Sequence, residues 1–333
     1  MALVEVEGLR KVYPDGTEAV AGIDFIVREG EFFGFLGPNG AGKTTTIKVL
    51  VTLIHKTSGR VVIDGLELGR EDRKIRERIG YAAQDVSVDE DLTGRENLIL
   101  SGRLYHMSTR AAERRADELL ELIGLTEVAN KLGGYYSGGM RRRLDLAQAL
   151  MHGPKLLFLD EPTSGLDPQN RRAMWAELRR LCEEGTTIFL TTQYMEEADA
   201  LCRRLAVIDQ GRIVAEGSPS KLKARLGGEV LTLEFPTDDP DALRDLVARG
   251  ALALQKVKGL QEVREGERVV VANLDGASAQ VLPKALRALS SADVDARISV
   301  STPTLDDVFL TLTGHALRDQ ESEKRASPWR RRR

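Results

Sequence analysis

The stretch Gly37-Pro38-Asn39-Gly40-Ala41-Gly42-Lys43-Thr44-Thr45 constrains this chain more than any other. From Gly37 to Thr44 it fits G-x-x-x-x-G-K-[ST]. An apolar run, Glu31–Leu36, precedes it and reads as a strand; residues 44–54 follow and read as a helix. In that setting glycines let backbone N–H groups turn inward around a phosphate, and the helix N-terminus adds a favourable dipole. Lys43 is placed to reach β- and γ-phosphates, and the Thr44 hydroxyl to ligate Mg²⁺. Thr45 continues the loop into the helix.

A second motif fits the first. Leu156-Leu157-Phe158-Leu159-Asp160-Glu161 is a buried strand ending in two acids. Asp160 would hold Mg²⁺, directly or through water. Glu161 could polarise an attacking water as general base. Around these motifs strands and helices alternate: a helix over about 138–151, a strand at Lys155–Asp160, a helix over 168–183, a strand at Thr187–Thr191 and a helix over 195–203. Nearly continuous apolar strands of this kind indicate a parallel sheet covered on both faces. Leu205–Asp209 and Arg212–Glu216 read as a hairpin around Gln210-Gly211.

The flanking segments differ. Before the loop come strands, with Tyr13-Pro14-Asp15-Gly16 as a turn. Residues 57–66 resemble a hairpin and 71–78 a short charged helix. Glu96–Leu104 and Ala111–Ile123 carry apolar residues at spacings of three and four, so about 85–135 forms a helical subdomain set into the α/β core. After Gly227-Gly228, residues 230–235 alternate as a strand and Asp239–Ala248 read as a helix. Residues 253–264 and 267–274 are strand-like, Ser278–Leu289 helical and Val294–Val300 strand-like. That order, βαββαβ, is a small split-βαβ pattern. The expected organisation is therefore a nucleotide-binding domain at 1–228, an α+β domain at 229–315 and a basic tail at 316–333.

Composition narrows the function. The 333 residues suit about two domains. The charge, 48 − 51 = −3, supplies no global basic field for nucleic acid. No apolar run approaches the ~20 residues that span a bilayer, and Glu5 and Glu7 interrupt any signal-peptide pattern. Cys182 and Cys202 have neither disulfide-framework numbers nor metal-ligand spacing. His55, His106, His152 and His315 match no catalytic spacing. These features indicate a reduced, cytosolic chain that neither is secreted nor spans a membrane by itself.

Tyr136-Ser137-Gly138-Gly139-Met140, followed by Arg141–Arg143, supplies another Ser-Gly-Gly helix start, with Ser137 placed 23 residues before Asp160. It resembles the signature sequence of ABC transporter nucleotide-binding subunits, although that family usually has Leu and Gln where this chain has Tyr136 and Met140. Over about residues 3–220 the chain is similar to that family. The resemblance implies a P-loop NTPase ABC-type fold: a parallel-sheet α/β core, an antiparallel β subdomain and a helical subdomain, here followed by the small α+β domain. It implies two ATP sandwiched in a head-to-tail dimer, with Ser137, Gly138, Gly139 and Met140 capping the γ-phosphate held by the opposite subunit. Tyr13 resembles the aromatic that stacks on adenine, Gln84 the glutamine of the Mg²⁺/water shell, and Asp167 in Ser164-Gly165-Leu166-Asp167 the residue that crosses the dimer interface. Gln193 stands where the family normally has a His that contacts the γ-phosphate. An amide there can donate a hydrogen bond but cannot titrate.

Gln193 and the run Tyr136–Ala147 are similar to the daunorubicin/doxorubicin-resistance exporter ATPases, as is Pro303–Leu310 with Thr313-Gly314. This implies ATP hydrolysis that powers efflux of a hydrophobic drug, which a separate polytopic membrane permease binds. It places the chain on the cytoplasmic face of the cell membrane, without nucleic acid. Two other readings stay open: a soluble ABC ATPase not coupled to transport, and an ATP-gated regulatory module of slow turnover. The tail, with Trp329 and Arg330–Arg333, suits either a solubilising extension without fixed structure or contact with an anionic leaflet.

Overall fold

The computed structural model describes residues 1–226, 228–237, 239–274 and 278–313. Gly227, Gly314, His315 and the basic tail lie outside the described residues. The chain divides into two compact units, Met1–Ile213 and a second that begins at Val214.

In the first unit, β1 (Ala2–Val12) and β2 (Glu18–Arg28) form a hairpin across the Tyr13–Gly16 turn, and β3 (Phe32–Leu36) runs into the glycine-rich loop. There follow α1 (Lys43–Leu50), β4 (Ser58–Ile63), β5 (Leu66–Glu67), α2 (Asp72–Arg76) and β6 (Ile79–Ala82). Helices α3 (Gly94–Leu104) and α4 (Thr109–Leu122) come next. The α/β core then resumes with α5 (Gly138–Ala149), β7 (Leu156–Asp160), α6 (Pro168–Glu183), β8 (Thr187–Thr192), α7 (Met195–Leu201), β9 (Arg204–Asp209) and β10 (Arg212–Gly217), a strand that straddles the boundary at Ile213.

Two sheets result. One has the order β2-β1-β4-β5 and is antiparallel. The other has β9-β3-β8-β7-β6 in parallel, with β10 beyond β9. Every residue of β3, β7 and β8 is buried, which explains the apolar runs Phe32–Leu36, Leu156–Leu159 and Ile188–Leu190. Between the sheets lies a core rich in phenylalanine: Phe25 stacks on Phe33 at 5.7 Å, and Phe189 sits 5.4–5.8 Å from Phe25, Phe33, Phe35 and Phe158. Thr93 and Glu96 close a capping box at the start of α3, and the Ser108 hydroxyl caps α4.

The second unit contains α8 (Pro219–Ala224), β11 (Val230–Glu234), α9 (Pro240–Gln255), β12 (Leu260–Glu265), β13 (Val269–Leu274), α10 (Ser278–Ser291), β14 (Arg297–Ser301) and α11 (Leu305–Thr313). Its sheet has the order β12-β13-β11-β14 and is antiparallel, as the βαββαβ pattern predicts. Two expectations need correction: residues 253–259 are not strand, since 253–255 extend α9 and β12 begins only at Leu260, and the strand expected from Val294 begins at Arg297. Val247, Ala251 and Leu254 recur at spacings of four and three and are buried, so the helical face persists past Ala248. No described helix is long and apolar enough to cross a membrane.

Candidate functional site

The parallel sheet delivers the site at its carboxyl edge, where ligands bind in open α/β sheets. β3 ends at Leu36 and releases Gly37–Gly42 as a loop before α1. A Cβ at Gly37 would lie 2.2 Å from the Ile208 carbonyl oxygen, and one at Gly42 would lie 2.3 Å from that of Ala19. Gly42 also takes φ +105°, so both close approach and backbone angle demand glycine there. Gly42 caps α1 without a side-chain hydrogen bond, which leaves the first helical N–H groups available to an anion.

Lys43 is folded back over this loop. Its Nζ donates to the carbonyls of Gly37 (2.8 Å) and Pro38 (3.1 Å) and lies 3.2 Å from Glu161 Oε1. The two side chains are only 3% and 5% exposed. The Thr44 hydroxyl donates to Asp160 Oδ1 at 3.3 Å, and the Thr191 hydroxyl donates to the same oxygen. Asp160 Oδ2 is buried without a hydrogen-bond partner. A bare buried carboxylate oxygen is costly and calls for a donor or a cation. Glu161 follows with φ +49°, a left-handed conformation uncommon outside glycine. Its amide donates to the Thr191 carbonyl (3.1 Å) and hydroxyl (3.3 Å). Ala19, Asn39, Gly40, Gly42, Lys43, Thr44, Thr45, Gln84 and Glu161 line one pocket. Tyr13 joins it indirectly, through a 3.3 Å contact between its hydroxyl and that of Thr45, with Lys11 Nζ 5.2 Å from the ring centroid.

The remaining candidates do not line that pocket. Ser137 caps α5, its hydroxyl accepting from the Met140 amide at 3.3 Å. Gly138 and Gly139 form the first turn, and a Cβ at Gly139 would lie 2.8 Å from the Asn170 side chain. Tyr136 is buried, and its hydroxyl donates to the Val128 carbonyl at 2.8 Å in the space left by Gly94, where a Cβ would lie 2.1 Å from that oxygen. Asp167 caps α6. Donation from the Asn170 amide and side chain holds its carboxyl below the ordinary range. Gln193 is half-buried directly after β8. Asp160 belongs to no cluster of three or more His, Cys, Asp or Glu among the described residues, so any metal there would need other oxygens.

Sequence reasoning missed three residues at this edge. Thr191, Arg142 and Glu197 gave no motif signal: the first lay inside a strand, the second inside an arginine run, the third on a helix. Glu197 is fully buried, accepting from the Thr163 hydroxyl (2.8 Å) and Trp175 Nε1 (3.0 Å). Burial pushes its carboxyl above the usual range, against donation from Thr192, Thr163 and Trp175. A carboxylate so placed ties the segment after Glu161 to α6 and to the Gln193 turn. Its sign in the sequence was polarity on an otherwise apolar helix face.

Comparison with known proteins decides the family. The family described as ABC transporter matches residues 20–164. The daunorubicin resistance ATP-binding protein DrrA2 of Streptomyces coeruleorubidus is 43% identical over 97% of this chain and 98% of its own length.

The chain belongs to the ABC transporter family.

The linearmycin resistance ATP-binding protein LnrL of Bacillus subtilis (strain 168) is 36% identical over 95% of this chain and 100% of its own. Among solved structures, the ATP-binding cassette MJ0796, a dimer in a post-hydrolysis state bound to ADP and Pi, matches with TM-score 0.60 and 28% identity. It covers 65% of this chain and 98% of its own. As an ABC ATPase this chain binds and hydrolyses ATP, and its fold is that of the family's nucleotide-binding domain.

Proposed function

We propose that this ABC ATPase is the motor of an exporter that moves a hydrophobic drug or antibiotic through a separate polytopic membrane permease. What supports this is that the likeness to a drug-resistance ATPase runs past the cassette through 97% of the chain.

In this reading the amides of Gly37–Gly42 and the start of α1 wrap the phosphates, with Asn39, Ala41 and Thr45 in the same cradle. Tyr13 offers its ring face to adenine. The Thr44 hydroxyl and the bare Oδ2 of Asp160 fit Mg²⁺, which takes few protein oxygens and completes its shell from phosphates and water. Gln84 would join that shell. When bound, the ion neutralises charge building on the transferring phosphoryl group. Lys43 has two partners to choose between. Its Nζ lies 3.2 Å from Glu161; a bound triphosphate, carrying more charge, would compete for it and leave Glu161 as a carboxylate able to take a proton from water. Gln193 would donate to the γ-phosphate as an uncharged amide. Ser137, Gly138, Gly139, Met140 and Asp167 lie off the pocket because they serve the site of a second copy, in a head-to-tail dimer. The assembly sits at the cytoplasmic face of the membrane. The α+β domain at 229–315 carries no nucleotide motif and steadies the dimer or regulates hydrolysis.

The test is trapping. Glu161→Gln protein with ATP, captured from mildly solubilised membranes, should bring down a polytopic membrane protein, and the pair reconstituted in vesicles should expel a hydrophobic drug. Capture of ribosomes instead, or ATP turnover unchanged by Glu161→Gln, would overturn the reading.

A further inference from the structure

Arg142 lies on α5, one turn past Gly138, and is 5% exposed. All three of its nitrogens donate. Nε reaches the Pro162 carbonyl at 2.8 Å, and Nη2 the Asp160 carbonyl at 3.1 Å. Nη1 reaches the carbonyls of Ala83 and, at 3.4 Å, Gln84, and lies 3.3 Å from Asp145 Oδ2. Asp145, itself 3% exposed, accepts at its other oxygen from the Ser87 amide (3.1 Å) and hydroxyl (2.6 Å). One guanidinium therefore joins three segments: the end of β6 with Gln84, the end of β7 with Asp160 and Glu161, and the helix that Ser137 opens.

The Asp160 and Pro162 carbonyls flank Glu161 on either side. Glu161 is the residue with φ +49°, a conformation that persists only where neighbours hold it. Thr191 holds its amide; Arg142 holds the peptide that enters Glu161, through the Asp160 carbonyl, and the Pro162 carbonyl one residue beyond it. A lysine could not reproduce this, because an ammonium is a point donor without the planar fork.

We propose that Arg142, oriented by Asp145, is a positioning residue for hydrolysis: it fixes Glu161 in its left-handed backbone and ties it to Gln84 and to the signature helix. A shift at any one of the three is then passed to the others. The inference rests on Glu161 acting as base, and it deepens that reading.

The test uses the full-length chain with three variants: Arg142→Lys, the paired Arg142→Leu/Asp145→Leu, and Glu161→Gln. The paired variant removes both buried charges at once, which cores tolerate better than a lone orphaned charge. Displacing a reacting group by about 1 Å can cost ~100-fold in rate. We expect Arg142→Lys and the paired variant to lower kcat by about 10- to 100-fold, with KM and the dissociation constant of a fluorescent ATP analogue within about threefold of the parent. Wild-type kcat in either folded Arg142 variant, beside an inactive Glu161→Gln, overturns this inference alone. Full activity in Glu161→Gln overturns the base assignment and this inference with it. Loss of nucleotide binding in step with kcat, or failure of both Arg142 variants to fold, would make Arg142 a general structural residue and overturn the proposal.

Discussion

Replacing Lys43 with Met should destabilise the nucleotide-free protein far more than a surface lysine would. Lys43 and Glu161 are 3% and 5% exposed and 3.2 Å apart, so the substitution strands a buried carboxylate. Removing one partner of such a pair costs about 3–5 kcal/mol. Lys43→Met/Glu161→Gln removes the charge as well, leaving lost hydrogen bonds to the Gly37 and Pro38 carbonyls, about 1–2 kcal/mol. The double variant should therefore be more stable than Lys43→Met by about 2–3 kcal/mol, an opposite-sign effect that a double-mutant cycle isolates. Urea unfolding followed by the fluorescence of Trp175, inside the first unit, reads these values directly. If Lys43→Met and the double variant unfold within about 0.5 kcal/mol of each other, Glu161 is not a stranded charge and the reasoning fails.

Gly42→Ala should abolish binding of a fluorescent ATP analogue, since its Cβ would meet the Ala19 carbonyl at 2.3 Å with φ at +105°; binding within threefold of the parent would show that the loop adapts. Burial raises the Glu31 carboxyl, but the paired bonds from Arg204 Nε and Nη2, both 2.8 Å, and the Arg28 amide outweigh it and hold it below 4.5. Its contribution is therefore complete above the unfolded value and fades as pH falls through the lower folded one. Glu31→Gln should cost about 1–3 kcal/mol at pH 7 in urea unfolding, with the gap closing in acid. Glu197 has the reverse sign: its raised carboxyl contributes most below the unfolded value of 4.5 and loses that contribution as pH climbs through the folded one. Glu197→Gln should flatten that part of the stability profile, and identical slopes in parent and variant would refute it.

Much of this site was legible because its chemistry is local in sequence. The phosphate loop, the acid pair after β7 and the Ser-Gly-Gly cap each lie within a few consecutive residues, and each needs particular side chains. The strands of the parallel sheet were legible for a related reason: burial on both faces leaves unbroken apolar runs such as Leu156–Leu159. What escaped were residues whose task is defined by three-dimensional neighbours. Arg142 reads as one of three arginines, and only the fold aims it at the carbonyls of Asp160 and Pro162, the neighbours of Glu161, while Arg143 reaches the Ile123 carbonyl instead. The end of α9 was misjudged because Ala253–Gln255 with Val257 satisfy a strand pattern as easily as the last turn of a helix; packing against Val270 and Ala272 settles it.

The hydroxyl of Tyr136 occupies the volume that a side chain at Gly94 would need. These two positions are thus not free to vary separately, although they stand 42 positions apart in the chain. Gly94→Ala should be rejected in this background and accepted beside Tyr136→Leu, which carries no oxygen there. The order of substitution then matters: the ring must shrink before the glycine can grow. A lineage that acquires tyrosine at 136 first has closed one of its own mutational routes, and a segment carrying this tyrosine should fail in any chain with a side chain at position 94 unless the glycine travels with it.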